Sequence, residues 1–209
     1  MRIKAWVGLV LVSACNKPAP EAASASPTVV VAVPKPAATE PAAAPAAAAP
    51  QDAKATAGGL TWEASKPLLA RTPKSSMRAA EYGVEGDSQA ELSVFYFGPG
   101  QGGDVDANIS RWLGQITQPD GSDTAQKQKR TEATSSGIAV TIVEAQGSYA
   151  GGMGMPGAHA GEPIADAILL GAIASGPQGP VFFKLVGPGA AIERARPAFK
   201  ALINSLHGS

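Results

Sequence analysis

Two methionines and a histidine stand close together in Met153-Gly154-Met155-Pro156-Gly157-Ala158-His159, where two thioethers and an imidazole could surround one soft Cu(I) ion. The glycines around them offer nothing to preorganise such a site. Methionines in such a loop also serve as apolar plugs. Met153, Met155 and His159 are therefore the metal candidates of the chain, and copper binding is the alternative reading of its function. With two histidines in all, a three-histidine catalytic centre is excluded. Ser-His-Asp chemistry would have to use His159 or His207, and His207 stands near the chain terminus, a poor place for a rigid base. Gly98-Pro99-Gly100-Gln101-Gly102-Gly103 matches the G-x-G-x-x-G pattern of dinucleotide sites literally. However, Pro99 removes a backbone donor, and Asp104 and Asp106 place negative charge where a phosphate would sit. The segment reads as a strand-to-helix connection. The carboxylates from Glu63 to Glu193 are scattered and point to no dyad. No cofactor is expected and no catalytic residue is assigned.

The single cysteine excludes an internal disulfide framework and a cysteine-zinc site. Cys15 closes an uncharged apolar run, Ala5 to Ala14, which follows Arg2 and Lys4. That run is about half the roughly 20 residues a membrane-spanning helix needs, and it fits the core of a secretory signal. Val12-Ser13-Ala14-Cys15 resembles the bacterial lipobox, with Val12 where leucine is usual. The resemblance implies that residues 1–14 are a signal peptide and that Cys15 is acylated and becomes the new N-terminus. Asn16, rather than aspartate, follows the cysteine. By the same resemblance, the chain is expected in the bacterial envelope, lipid-anchored in the outer membrane and facing the periplasm.

Residues 15–58 read as the lipidated cysteine and a disordered linker. Between Asn16 and Gly58 there are 17 alanines and 8 prolines and few charges. The prolines interrupt any helix the alanines start, and the segment buries too little apolar area to offset its chain entropy. Extended, it would reach about 130 Å. Residues 59–209 have the size of one domain. Across the whole chain 17 basic residues balance 17 acidic ones, which argues against nucleic acid as a partner.

Within 59–209, Trp62 marks an opening strand. Met77–Val84 and Glu91–Phe97 form strands joined through Glu85-Gly86-Asp87-Ser88. Val105, Ile109, Trp112, Leu113 and Ile116 make one apolar stripe on a helix expected over Asp104–Thr117, with Asp104 as N-cap and Pro119-Asp120-Gly121 beyond its end. Trp112 is then core, and Arg111, one position round, is solvated. Lys127–Thr134 and Ile138–Gly147 form a hairpin about Ser135-Ser136-Gly137. Lys127, Lys129 and Arg130 protect its edge by charge. Tyr149–Pro163 is a loop. Asp166–Ser175 and Val181–Gly187 are apolar strands about Pro177-Gln178-Gly179-Pro180. Ile192, Ala195, Phe199, Leu202, Ile203 and Leu206 define a last helix, which Pro197 interrupts or begins, with Asn204–Ser209 fraying.

This order gives an α+β class with an antiparallel sheet of about six strands and helices packed on it. Met77-Arg78-Ala79-Ala80-Glu81-Tyr82, Val94-Phe95-Tyr96-Phe97-Gly98, Asn108-Ile109-Ser110-Arg111-Trp112, Leu170-Gly171-Ala172-Ile173 and Phe182-Phe183-Lys184-Leu185 together resemble a family of uncharacterised bacterial lipoproteins and the PsbP-like fold, an α/β/α sandwich. The resemblance spans about residues 62–206. It implies a docking or scaffold role and no catalytic residues. The function expected is thus that of a non-catalytic binding or scaffold module, held to the membrane by its N-terminal lipid and engaging another envelope protein, with any small-molecule ligand unidentified.

Overall fold

The computed structural model describes residues 54–151 and 162–209. Cys15, the signal segment and the loop holding Met153, Met155 and His159 lie outside the described residues. The chain runs β1 (Lys54–Ala57), β2 (Leu60–Glu63), β3 (Leu68–Arg71), β4 (Arg78–Val84), β5 (Asp87–Phe95), α1 (Val105–Leu113), β6 (Ile116–Thr117) and α2 (Thr124–Lys127). It continues through β7 (Lys129–Ser135), β8 (Ile138–Tyr149), β9 (Ile164–Gly176), β10 (Gly179–Pro188), α3 (Gly189–Asn204) and β11 (His207–Gly208). The class is α+β, and every strand pairing among the described residues is antiparallel.

The main sheet has eight strands, not about six. Its order is β3-β4-β5-β10-β9-β8-β6, with β7 sharing the outer edge of β8 with β6. A second sheet of three short strands runs β1-β2-β11. The additional strands are short pieces whose pairing comes from neighbours rather than from their own composition. In β1, Lys-Ala-Thr-Ala has no apolar signal beyond two alanines, yet Ala55 and Ala57 pack on the core and all four residues register against β2. Strand β1 thus lies within the stretch 15–58 read as the linker.

The centre of the main sheet is apolar on both faces. Ile168, Leu170, Ala172 and Ala174 of β9 face the cluster containing α3, whereas Leu169 and Ile173 face the cluster around α1. On β10, Val181, Phe183 and Leu185 point to α3, and Phe182 points to α1. The long unbroken apolar run of β9 is the signature of a strand covered on both sides. On the α3 face Trp62 is fully buried, donates its indole N–H to the Tyr82 hydroxyl at 3.0 Å and meets Phe183 edge to face at 5.1 Å.

On the opposite face, α1 is capped by Asp104, whose carboxylate accepts from the backbone N–H of Asp106 and Ala107. Trp112 lies over Gly171. A Cβ there would stand 2.5 Å from the indole, so only glycine leaves room for the ring. The helix stops at Leu113, with Gly114 as C-cap, instead of continuing to Thr117. Ile116 reaches the same apolar cluster from strand β6, which pairs with Ser148 and Tyr149. Its place on the helical stripe was therefore a coincidence of spacing.

Two more expectations at the C-terminus are corrected. Helix α3 runs through Pro197, which is exposed and leaves the Glu193 carbonyl without its helical N–H donor. The tail does not fray. Leu206 is fully buried, His207 and Gly208 pair with β2, and the Ser209 N–H donates to the Gly59 carbonyl. At the β7–β8 hairpin, Ser136 and Gly137 both have positive φ (47° and 83°), the backbone of a type I′ turn. Strand β7 is exposed over Lys129–Thr134, as the charged-edge reading requires.

Candidate functional site

Helix α1 covers one half of its sheet face only. Among the described residues the apolar cluster around it draws on β8, β9 and β10, with Phe95 of β5 packed against it, and includes none of β3 or β4. Over β3, β4 and β5 that face carries charge instead. The register sets Arg71 beside Glu81, Glu81 beside Ser93 and Ser93 beside Lys184, one row of polar side chains across four strands. Glu91 lies two residues along β5 from Ser93.

Glu81 is buried, and its Oε2 accepts from the Lys74 backbone N–H at 2.9 Å and from Arg78 Nη1 at 2.6 Å. Its Oε1 has no hydrogen-bond partner, although the Lys74 ammonium lies 3.4 Å away. Glu91 pairs with Lys74 and Arg78 and accepts from the Ser93 hydroxyl at 2.9 Å. Burial alone would raise the Glu91 carboxyl. The Lys74 hydrogen bond and the Arg78 guanidinium outweigh that and hold it at about 2. A carboxylate so strongly ionised is a weak base at neutral pH, so the Ser93–Glu91 contact does not activate the hydroxyl.

Lys184 interrupts the apolar run Val181-Phe182-Phe183-Lys184-Leu185-Val186 on this face. Its ammonium donates to Gln115 Oε1 and, at 3.1 Å, to the Tyr149 hydroxyl. Among the described residues no carboxylate lies within 4 Å of it. Burial pushes it down to about 8, the Arg78 charge adds to the effect and Glu91 opposes it. The Tyr149 hydroxyl is raised, chiefly by burial. Arg71, stacked over Gly83 where a Cβ would collide with its guanidinium, has no ion-pair partner among the described residues. The half-face thus holds Arg71, Lys74, Arg78 and Lys184 against Glu81 and Glu91. Large apolar side chains stand beside the charges. Phe97 is 40% exposed and stacks on Phe95, Leu69 on β3 is 37% exposed, and Met77 is 44% exposed. Such a surface can receive an anionic group flanked by apolar contacts.

The glycine segment before α1 is structural. Gly102 has φ 97° and packs so closely on Phe182 that a Cβ would stand 2.7 Å from the ring. Asn108 is buried and donates to the carbonyls of Gly102 and Asp104 at 2.7 and 2.8 Å, which ties the loop to the helix. Asp104 already occupies the helix N-terminus, where a phosphate would have to bind. His207 is exposed and meets the Ser205 carbonyl at 2.9 Å. Among the described residues no group of three or more His, Cys, Asp or Glu side chains converges as a metal site, and no helix is long and apolar enough to cross a membrane.

Sequence reasoning treated Glu81 and Glu91 as scattered carboxylates and missed Lys74, Arg78, Lys184 and Tyr149. The available signal was the interruption of apolar strands by single charges at Glu81, Glu91 and Lys184. Which of them share a row depends on strand order and register.

No family model matches the sequence, and neither does any curated protein. Among solved structures, the chain is similar to cyanobacterial PsbP (CyanoP) from Synechocystis, with a TM-score of 0.44 and 10% identity over 73% of this chain and 88% of that one. It is also similar to a protein of unknown function from Pseudomonas aeruginosa, with a TM-score of 0.36 and 14% identity over 70% and 85% of the two chains.

Proposed function

We propose that the chain is a lipid-anchored, non-catalytic binding module of a bacterial envelope, and that it engages an acidic surface of another envelope protein through the half-face of β3, β4, β5 and β10. One observation carries this reading. Among the described residues the cluster around α1 includes none from β3 or β4, and the face at these strands and the adjoining parts of β5 and β10 carries four cations against two carboxylates, with Leu69 and Phe97 exposed. Buried cations are costly without partners, and Lys184 gains most from an incoming carboxylate. The anchor half of the proposal rests on the position of Cys15 at the end of the apolar run.

The test has two arms. Labelling with a fatty-acid analogue should mark the parent and leave Cys15→Ser unlabelled. Equal labelling would remove the anchor. In a detergent extract of the envelope, a partner recovered with the parent should be lost with Arg71→Glu and retained with Arg194→Glu, a change on the far helix. Equal recovery with both variants would remove the docking face.

A further inference from the structure

On the other face of the sheet, α3 and the β7–β8 hairpin enclose a groove of about 350 Å³. It is distinct from the charged half-face and independent of the proposal made for it. The cause is the geometry of β7, which among the described residues pairs with β8 alone. At one end Ser135 is buried, and its hydroxyl donates to the carbonyls of Asn204 and Leu206 at 3.0 and 3.3 Å, which pins the hairpin to the end of α3. From Lys129 to Thr134 the strand is exposed. The groove is lined by Lys129 and Thr131 of β7 and by Asn204 at the end of α3.

The floor is apolar. Leu170, Phe199 and Ile203 are each 3% exposed, and Ile142 joins them. The rim carries Lys129, Arg196 and Lys200 against one carboxylate, Glu144, which stands opposite Lys129 in the β7–β8 register. Arg196 is committed to protein partners, because it forks onto both oxygens of Glu144 at 2.8 and 3.1 Å and also holds Glu193. Lys129 and Lys200 have no carboxylate within 4 Å among the described residues. A volume of this size lies at the lower end of small-molecule pockets, which combine an apolar lining with a few polar groups that fix orientation.

We infer that this groove is a binding site for a small organic carboxylate with a compact apolar body, the body lying on Leu170, Phe199 and Ile203 and the carboxylate meeting Lys129 and Lys200. A neutral molecule would use the floor and leave both lysines in water. A cation would be repelled by Lys129 and Lys200. The charge of the rim therefore selects the head group and the groove's volume limits the body.

The experiment uses the full chain in lipid nanodiscs, with empty nanodiscs subtracted, and calorimetric titration with 4-phenylbutyrate, 4-phenylbutanol and 4-phenylbutylamine. The carboxylate should bind saturably, and at least tenfold more tightly than the alcohol or the amine. Lys129→Gln with Lys200→Gln should weaken it about tenfold while leaving the melting temperature unchanged, since both are surface positions. Thr131→Trp, which places an indole at an exposed position of the groove lining, should abolish it. Absence of saturable binding to the parent, equal affinity for the amine, or retention of binding in Thr131→Trp would each overturn the inference.

Discussion

The contact between Trp112 and Gly171 can be measured as a coupling energy. Trp112 is 6% exposed and stands edge to face with Phe182 at 6.5 Å between ring centres. Replacing it by alanine removes a large buried aromatic surface and should cost roughly 3–5 kcal/mol. Gly171→Ala puts a methyl 2.5 Å from one indole carbon, 2.7 Å from a second and 2.8 Å from Val143. Neither the indole nor the packed valine is the free end of a flexible chain, so this overpacking should cost about 1–3 kcal/mol. In the double variant the indole is gone and the methyl partly fills its space. The Gly171 change should then cost little, and the pair should be less destabilised than the sum of the singles by about 1–2 kcal/mol. Denaturant melts with an unchanged slope against denaturant give the three values. Arg111→Ala is the control. Arg111 is exposed and its one side-chain bond is to Asn108 Oδ1, so it should cost well under ~1 kcal/mol. Additivity of the two singles to within about 0.5 kcal/mol would refute the packing of the indole on Gly171, and with it the placement of α1 on the sheet.

Three further outcomes follow from the charged face and the termini. Glu91 has a folded value of about 2 against its ordinary 4.5, so its contribution is present above 4.5 and is lost as pH falls toward 2. Glu91→Gln should cost about 1–2 kcal/mol at neutral pH, after allowance for the exposed Lys74 side of the pair, and should flatten the acid limb of the stability curve. Lys184 has a folded value of about 8 against 10.5, so the unfolded chain binds more protons between those values and stability should rise with pH there. Lys184→Met should remove that rise, and thermal melts from pH 7 to 10.5 would register it. A chain beginning at residue 59 should be about 1–2 kcal/mol less stable than one beginning at residue 54, because it lacks β1 and the Gly58 carbonyl that accepts from Gln178. Identical melting of the two would mean that β1 contributes nothing.

Long, strongly patterned elements were legible before any coordinates. Glu91–Phe97, Ile138–Gly147, Asp166–Ser175 and Val181–Gly187 are alternating or unbroken apolar runs, and each lies largely within an observed strand. Asp104 capped its helix as its position demanded. What failed was structure set by distant partners. Leu68–Arg71 is a strand because β4 is beside it, and His207–Gly208 because β2 is. Gly114 ended a helix whose stripe seemed to continue to Ile116. The charged half-face was invisible for the same reason. Arg71, Glu81, Ser93 and Lys184 come from four strands across more than a hundred residues, and only the register puts them in one row.

The central claim is that this half-face is where the chain meets its partner. The most direct measurement is site-specific photo-crosslinking in cells, with the probe placed in turn at Leu69, at Phe97 and, on the exposed surface of α3, at Arg194. The account predicts that Leu69 and Phe97 yield the same adduct to one envelope protein, that Arg194 yields none, and that adding Arg71→Glu suppresses the adduct. An adduct from Arg194 as strong as from Leu69, or none from either position on the sheet, would contradict it.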